Sequence, residues 1–151
     1  MDISRIRLAT VDDEAAIVDV FVLAFMADPM WRWAWPNPHT FLSSAPVFAR
    51  ILTRTTIAHG SAYCSDNLVA ACLWRRPGER ANEEGIGELF QHSLSASILV
   101  EFQAVVAQMG AIHPAAAHWY FPLIGVDPAH QGQGYGSALL AHTLQEYDRA
   151  H

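Results

Sequence analysis

Polar and apolar residues alternate over Arg5-Ile6-Arg7-Leu8-Ala9, the period of a strand with one face buried. Thr10 followed by Asp12, Asp13 and Glu14 then marks a helix start, because acids complement the positive end of the helix dipole. Ile17, Val20, Phe21, Ala24 and Phe25 recur at helical spacing until Asp28-Pro29 stops the run. The next segment, residues 30–38, carries Trp31, Trp33 and Trp35 between prolines and is expected to form no long regular element. A second helix is predicted over residues 40–59, with Phe41, Ala45, Phe48, Ile51, Leu52 and Thr55 on one side and Gly60 at its end. Residues 61–64 and 68–75 read as a hairpin around Ser65-Asp66-Asn67, and residues 77–80 as a loop. Helical spacing returns over residues 86–109 through Phe90, Leu94, Ile98, Phe102, Val105 and Met109, with a break expected near Ser93, Ser95 and Ser97. Residues 119–126 are a continuous apolar run, predicted as a strand buried on both faces. A glycine-rich loop over residues 127–136 leads into a last helix over residues 137–150, with Leu139, Leu140, Thr143, Leu144 and Tyr147 facing inward.

Composition narrows what such a chain can do. Its 151 residues fit one domain, with no repeat or linker, able to bury a core without disulfide or metal staples. Apolar residues make up 52% and charged residues 16%, which excludes a disordered chain. Nine cations against fifteen anions give a net charge of −6, which argues against nucleic acid as a partner. All nine cations are arginine, so no lysine Schiff base and no phosphate-loop lysine can operate. Cys64 and Cys72 are too few for a disulfide framework and read as two small buried thiols. The chain begins without a basic, apolar leader, and no apolar run is long enough to span a membrane; a cytoplasmic location is expected. Eight histidines are scattered without a His-x-His or His-Glu-x-x-His pattern, and no metal site is expected.

One segment carries chemistry. Leu123-Ile124-Gly125-Val126 runs into Asp127-Pro128-Ala129-His130-Gln131-Gly132-Gln133-Gly134-Tyr135-Gly136, which opens directly into the helix beginning Ser137-Ala138-Leu139. The unpaired N–H groups of a first helical turn favour negative charge, and glycines let backbone come within hydrogen-bonding reach of phosphate oxygens. This is the pattern of a diphosphate cradle. A P-loop would need a lysine, and a dinucleotide-binding fingerprint would need Gly-x-Gly-x-x-Gly rather than glycines at 132, 134 and 136.

The segment resembles the coenzyme A-binding motif of the GCN5-related N-acetyltransferases, Gln/Arg-x-x-Gly-x-Gly/Ala, here Gln131-Gly132-Gln133-Gly134-Tyr135-Gly136. The order of predicted elements before it is also similar to that family's. The resemblance implies an α/β, acyl-CoA N-acyltransferase-like fold with a mixed central sheet flanked by helices. It implies acetyl-CoA as cofactor, its pyrophosphate held by backbone N–H groups of Gln131, Gly132, Gln133, Gly134, Tyr135, Gly136 and Ser137. Ile124 and Val126 would offer backbone groups to the pantetheine arm, freed by a bulge for which Pro122 is a local cause. The N–H of Ile124 would polarise the thioester carbonyl. The implied reaction is direct attack by a small-molecule amine on acetyl-CoA within a ternary complex. Where family members carry a carboxylate base on this strand, the matching residue is Tyr120; His118, on the same face, is a candidate proton relay, its alternative role being a solvated strand end.

The family continues past this helix with a further strand, helix and hairpin that carry a thiolate-protonating tyrosine, so the resemblance suggests a domain truncated at its C-terminus. Tyr135 and Tyr147 are not its substitutes. A second subunit, in a homodimer, would then supply the lost surface, or the chain would bind acyl-CoA without turnover. A nucleotide-binding α/β module is a third, weaker alternative. Trp31 and Trp33, with Trp35, border the family's acceptor site and suit an amine through cation–π contacts, the alternative being core or dimer surface. Asp28 beside them would attract an amine or simply stop the helix. His130 sits in the phosphate loop, where its imidazolium could meet a cofactor phosphate.

Overall fold

The structure is a computed structural model that describes residues 5–149. Ala150, the expected end of the last helix, lies outside the described residues, as do residues 1–4 of the expected leaderless start. Strand β1 (Ile6–Leu8) leads through a 3-10 turn into α1 (Glu14–Phe25), followed by α2 (Pro29–Ala34) and α3 (Pro38–Ala58). Strands β2 (Ala62–Ser65) and β3 (Ala70–Arg75) form the hairpin. Helices α4 (Glu83–Ser93) and α5 (Ala96–Ile112) then intervene before β4 (Tyr120–Val126), and α6 (Tyr135–Arg149) closes the order.

The strands form one sheet in the order β1-β2-β3-β4. Every described pairing is antiparallel, where the sequence reading has a mixed sheet. Side chains alternate across it. Ala62, Cys64, Ala71 and Leu73 face a core built with α1, α2 and α3, whereas Tyr63, Ala70, Cys72 and Trp74 face α6. Cys64 lies opposite Ala71 and Cys72 opposite Tyr63, so the two free, buried thiols point to opposite faces. Burial pushes them up to about 11 and about 12 respectively.

Local chemistry sets the element ends. Asp13 accepts from the N–H of Thr10 at 2.8 Å and from its hydroxyl at 3.0 Å. The guanidinium of Arg7 grips the Asp13 carboxylate in a two-point contact of 2.7 and 2.9 Å, tying β1 to the start of α1. This hydrogen bonding holds Asp13 far below the usual carboxylate range. Gly125 lets α1 lie directly on β4: a Cβ there would sit 2.8 Å from Cδ1 of Phe21. The expected break between the long helices falls at Leu94, which is extended between α4 and α5.

The tryptophan segment forms no long element, as expected, but only the six-residue α2, which Asp28 caps and whose first turn suits Pro29. Four expectations are corrected. In α3 the buried positions are Phe41, Ser44, Ala45, Ala49, Thr53 and Thr56, so the inner face is rotated away from Ile51 and Thr55. Leu144 is exposed on α6, and Gly136 belongs to that helix rather than to the loop. Finally, β4 is only partly buried, since it is an edge strand with a cavity against its first half.

Candidate active site

Two hollows lie along β4. The smaller, about 390 Å³, is at its C-terminal end and is lined by Val126, His130, Gln131, Gly132, Gly134, Tyr135, Gly136 and Ser137. Gly132 and Gly134 adopt φ of +72° and +93°, conformations that residues with a Cβ resist. The first α6 bond runs from the N–H of Ala138 to the carbonyl of Gly134 at 2.9 Å. The N–H groups of Tyr135, Gly136 and Ser137 are therefore left without an intrahelical acceptor, pointing out of the helix start. The loop is braced from within. The side-chain amide of Gln131 donates to the Val126 carbonyl at 3.1 Å, and that of Gln133 to Ala129 at 3.3 Å. Tyr135 turns its ring into the α6-side core, where its hydroxyl accepts from Asn67 at 2.9 Å. Its contribution to the hollow is thus backbone, while its side chain locks α6 to the hairpin.

The edge of β4 connects this cradle to the rest. Asp127 donates to the carbonyl of Val69 at 2.8 Å, and the register pairs Gly125 with Ala71 and Leu123 with Leu73. Antiparallel bonding alternates, so peptide groups of 123, 125 and 127 face β3 and those of Ile124 and Val126 face the open edge. Further along, the register slips between Leu73 and Arg75, leaving Phe121 and Pro122 opposite Trp74 alone. That bulge falls at Pro122, which has no N–H to give to a ladder.

The larger cavity, about 620 Å³, lies against the first half of β4 beneath α2, α3, α4 and α5. Trp31, Trp35, Phe48, Phe90 and Phe102 are among its walls. Its ionisable lining groups are Arg75, Glu83, His113 and Tyr120. Arg75 sits 4.5 Å over the ring of Tyr120, and the His113 ring lies 5.2 Å from that ring. His118 is just outside the strand. Its Nδ1 is 2.7 Å from the carbonyl of Ala116, which places the proton on Nδ1 and leaves Nε2 as an acceptor. The Nε2 of His113 is 3.0 Å from that atom, so in the neutral pair His113 donates from Nε2 and keeps a lone pair on Nδ1.

The sequence-predicted residues thus separate. Gln131, Gly132, Gly134, Tyr135, Gly136 and Ser137 gather in the cradle, Gln133 lies outside its lining, and Ile124 and Val126 present backbone to the edge. Trp31 and Trp35 line the larger cavity, whereas Trp33 stacks on Phe102 at 5.8 Å and joins α2 to α5. Asp28 is corrected from amine attractor to cap: its Oδ1 accepts from the N–H groups of Met30 and Trp31 at 2.9 and 3.0 Å. His113 was read only as one of eight scattered histidines, yet it is the histidine that lines the cavity, with His118 behind it. Tyr147 is stacked on Trp119 at 3.7 Å in the α6-side core, with burial pushing its hydroxyl well above the usual range. Among the described residues no group of three or more metal-ligating side chains occurs, and no helix is long and apolar enough to cross a membrane.

Residues 24–150 match the sequence model of the acetyltransferase (GNAT) family. The chain belongs to the GNAT acetyltransferase family. The match runs to residue 150, and the expectation of a truncated family domain is not borne out. Similar solved structures include a histone acetyltransferase HPA2 and related acetyltransferase from Corynebacterium glutamicum, with TM-score 0.70 and 23% identity over 96% of this chain and 72% of that one. An agmatine N-acetyltransferase mutant aligns with TM-score 0.59 and 21% identity over 99% of this chain and 73% of that one. At these identities the likeness shows the fold. The cofactor of this GNAT fold is acetyl-CoA, and the cradle fits it: glycines at positive φ and three outward N–H groups suit a pyrophosphate.

Proposed function

We propose that this GNAT protein acetylates the amino group of a small molecule in the cytoplasm, by direct attack on acetyl-CoA with both ligands bound. The observation that supports it most is the edge of β4, whose outward peptide groups run from the phosphate cradle to a cavity of acceptor size. Acetyl-CoA supplies the activated thioester. The backbone from Gln131 to Ser137 holds its pyrophosphate, and the N–H of Val126 with the carbonyl of Ile124 pairs with the pantetheine amides as an added strand would. The N–H of Ile124 then donates to the thioester carbonyl oxygen, where charge develops during attack. Trp31 and Trp35 form the acceptor's walls, with Arg75 and Tyr120 at the β4 end.

As its bond to carbon forms the amine must lose a proton, while the C–S bond breaks and the departing coenzyme A thiolate takes up a proton from solvent. Nδ1 of His113 accepts it, and the Nε2 proton of His113 passes to Nε2 of His118, which releases a proton to solvent. His118 is therefore the second member of a relay whose first member touches the acceptor. No carboxylate is needed on β4, which has none.

The test combines a thermal melt with acetyl-CoA, NAD or ATP and a thiol-release assay over a panel of amines. Stabilisation by acetyl-CoA alone, with amine-dependent release of free coenzyme A thiol, is the expected result. Stabilisation without release from any amine would replace this reading with acyl-CoA binding lacking turnover. No stabilisation by acetyl-CoA would refute both.

A further inference from the structure

The acetyl-transfer reading leaves the acceptor's body open, and the larger cavity has a definite chemistry. We infer that the acceptor is a single primary amine on an apolar, ring-sized body, lodged in the cavity under α4 and α5; the inference rests on the acetyl-transfer reading.

The cavity is built by the excursion between β3 and β4. Helices α4 and α5 bring Phe90 and Phe102 across to the rings of α2 and α3, and the rings brace one another. Trp31 meets Phe48 at 5.4 Å, Phe48 meets Phe90 at 5.6 Å, Trp35 meets Phe90 at 6.1 Å, and Phe90 meets Phe102 at 4.7 Å. Such tilted and edge-on contacts hold each ring in one orientation. The Trp35 indole is also fixed by its N–H bond to Ser93 at 2.9 Å. The space left, about 620 Å³, is in the range of cavities that enclose a small organic molecule.

The polar groups are not spread through this space. Tyr120 belongs to β4, Arg75 lies over its ring and His113 beside it, so they cluster where the reacting strand passes. An amine presented there must extend its body away from β4, among the rings. Glu83, exposed at the start of α4, is the one carboxylate in the lining. A polyamine would carry a second ammonium in among Trp31, Phe48, Phe90 and Phe102, where it would lose its hydration, which is costly. A hydrocarbon body loses nothing there, and each buried methylene favours binding by about fourfold.

The experiment measures kcat/KM with the full chain at saturating acetyl-CoA for ethylamine, 2-phenylethylamine and spermidine. Expected is a rise of about 100-fold from ethylamine to 2-phenylethylamine, with spermidine at least about tenfold below the latter. Val106 lines the cavity from α5 and is half exposed, so Val106→Glu tests the wall without threatening the core. It should lower kcat/KM for 2-phenylethylamine at least about tenfold and leave the acetyl-CoA melting shift unchanged. Turnover of ethylamine or spermidine equal to that of 2-phenylethylamine, or indifference to Val106→Glu, would overturn the apolar acceptor while the transferase stands. A chain that neither binds acetyl-CoA nor releases thiol with any amine fails at the transferase reading, and the inference falls with it.

Discussion

Gly132 offers a clean separation of backbone strain from ligand contact. At φ of +72° it sits in the left-handed region, and a Cβ built there meets no protein atom within 4 Å. Gly132→Ala therefore adds strain of about 1–2 kcal/mol and no internal clash. Gly132 lines the hollow proposed to take the pyrophosphate, so the added methyl should also remove a charge-assisted hydrogen bond of about 1.5–3 kcal/mol. Gly60 is the matched control: its φ is +65°, a Cβ there would meet only Nη2 of Arg76 at 3.7 Å, and it lies at the end of α3, outside both hollows. Both variants should lower the melting temperature by a few degrees, at about 3 °C per kcal/mol for a chain of this size. They should then diverge. Acetyl-CoA at 100 times the wild-type dissociation constant adds about 2.7 kcal/mol of stability to wild type and to Gly60→Ala. If Gly132→Ala weakens affinity about 100-fold, the same concentration adds only about 0.4 kcal/mol. Differential scanning fluorimetry of the three proteins with and without ligand reads each of these shifts. Full ligand stabilisation in Gly132→Ala would refute the loop as the pyrophosphate site. A ligand shift lost equally in Gly60→Ala would show that strain alone disables binding.

The remaining predictions concern the relay, an ion pair and the thiols. His113→Ala should lower kcat for acetyl transfer by about 100-fold with the acetyl-CoA melting shift intact, whereas a loss of that shift would point to disrupted folding instead. Asp13→Asn breaks the two-point contact with Arg7 and should cost about 1–3 kcal/mol in urea unfolding at pH 7. Because Asp13 is held below its ordinary 3.8, its contribution is complete above about pH 4 and disappears as pH falls through the lowered native value. Wild type should therefore lose stability on acidification below about pH 4 more steeply than Asp13→Asn, and parallel acid limbs would refute the assignment. Cys64 and Cys72, pushed up to about 11 and about 12, should resist Ellman's reagent in the native protein at pH 8 and react fully in denaturant.

What could be read from sequence follows the range of the interactions involved. The cradle was legible because its parts are contiguous: an apolar strand, glycines at fixed offsets and a helix start. Its chemistry belongs to the backbone and needs no distant partner. The helix start marked by Thr10 and the acids after it was legible for the same reason, although the bonds from Thr10 and Arg7 to Asp13 that close the turn before α1 were not. His113 illustrates the opposite case. It is five residues from His118 in a stretch with no periodicity, and only the backbone path from α5 into β4 brings the two Nε2 atoms to 3.0 Å.

The acceptor cavity was hidden by a deeper degeneracy. An apolar side chain facing protein and one facing an apolar ligand leave the same periodic trace in sequence, since both are simply turned from water. Phe90 and Phe102 recur at helical spacing in the sequence, and both pack against the core. Yet neither α4 nor α5 has a fully buried residue, because the surface they face encloses an open volume rather than packed atoms. The same degeneracy explains β4. Its unbroken apolar run suggested burial on both faces, but Tyr120, Pro122 and Leu123 line the cavity, and Ile124 and Val126 carry outward peptide groups that no side-chain pattern records. Incomplete burial at positions whose sequence demands a core is thus itself a pointer to where a ligand completes the packing.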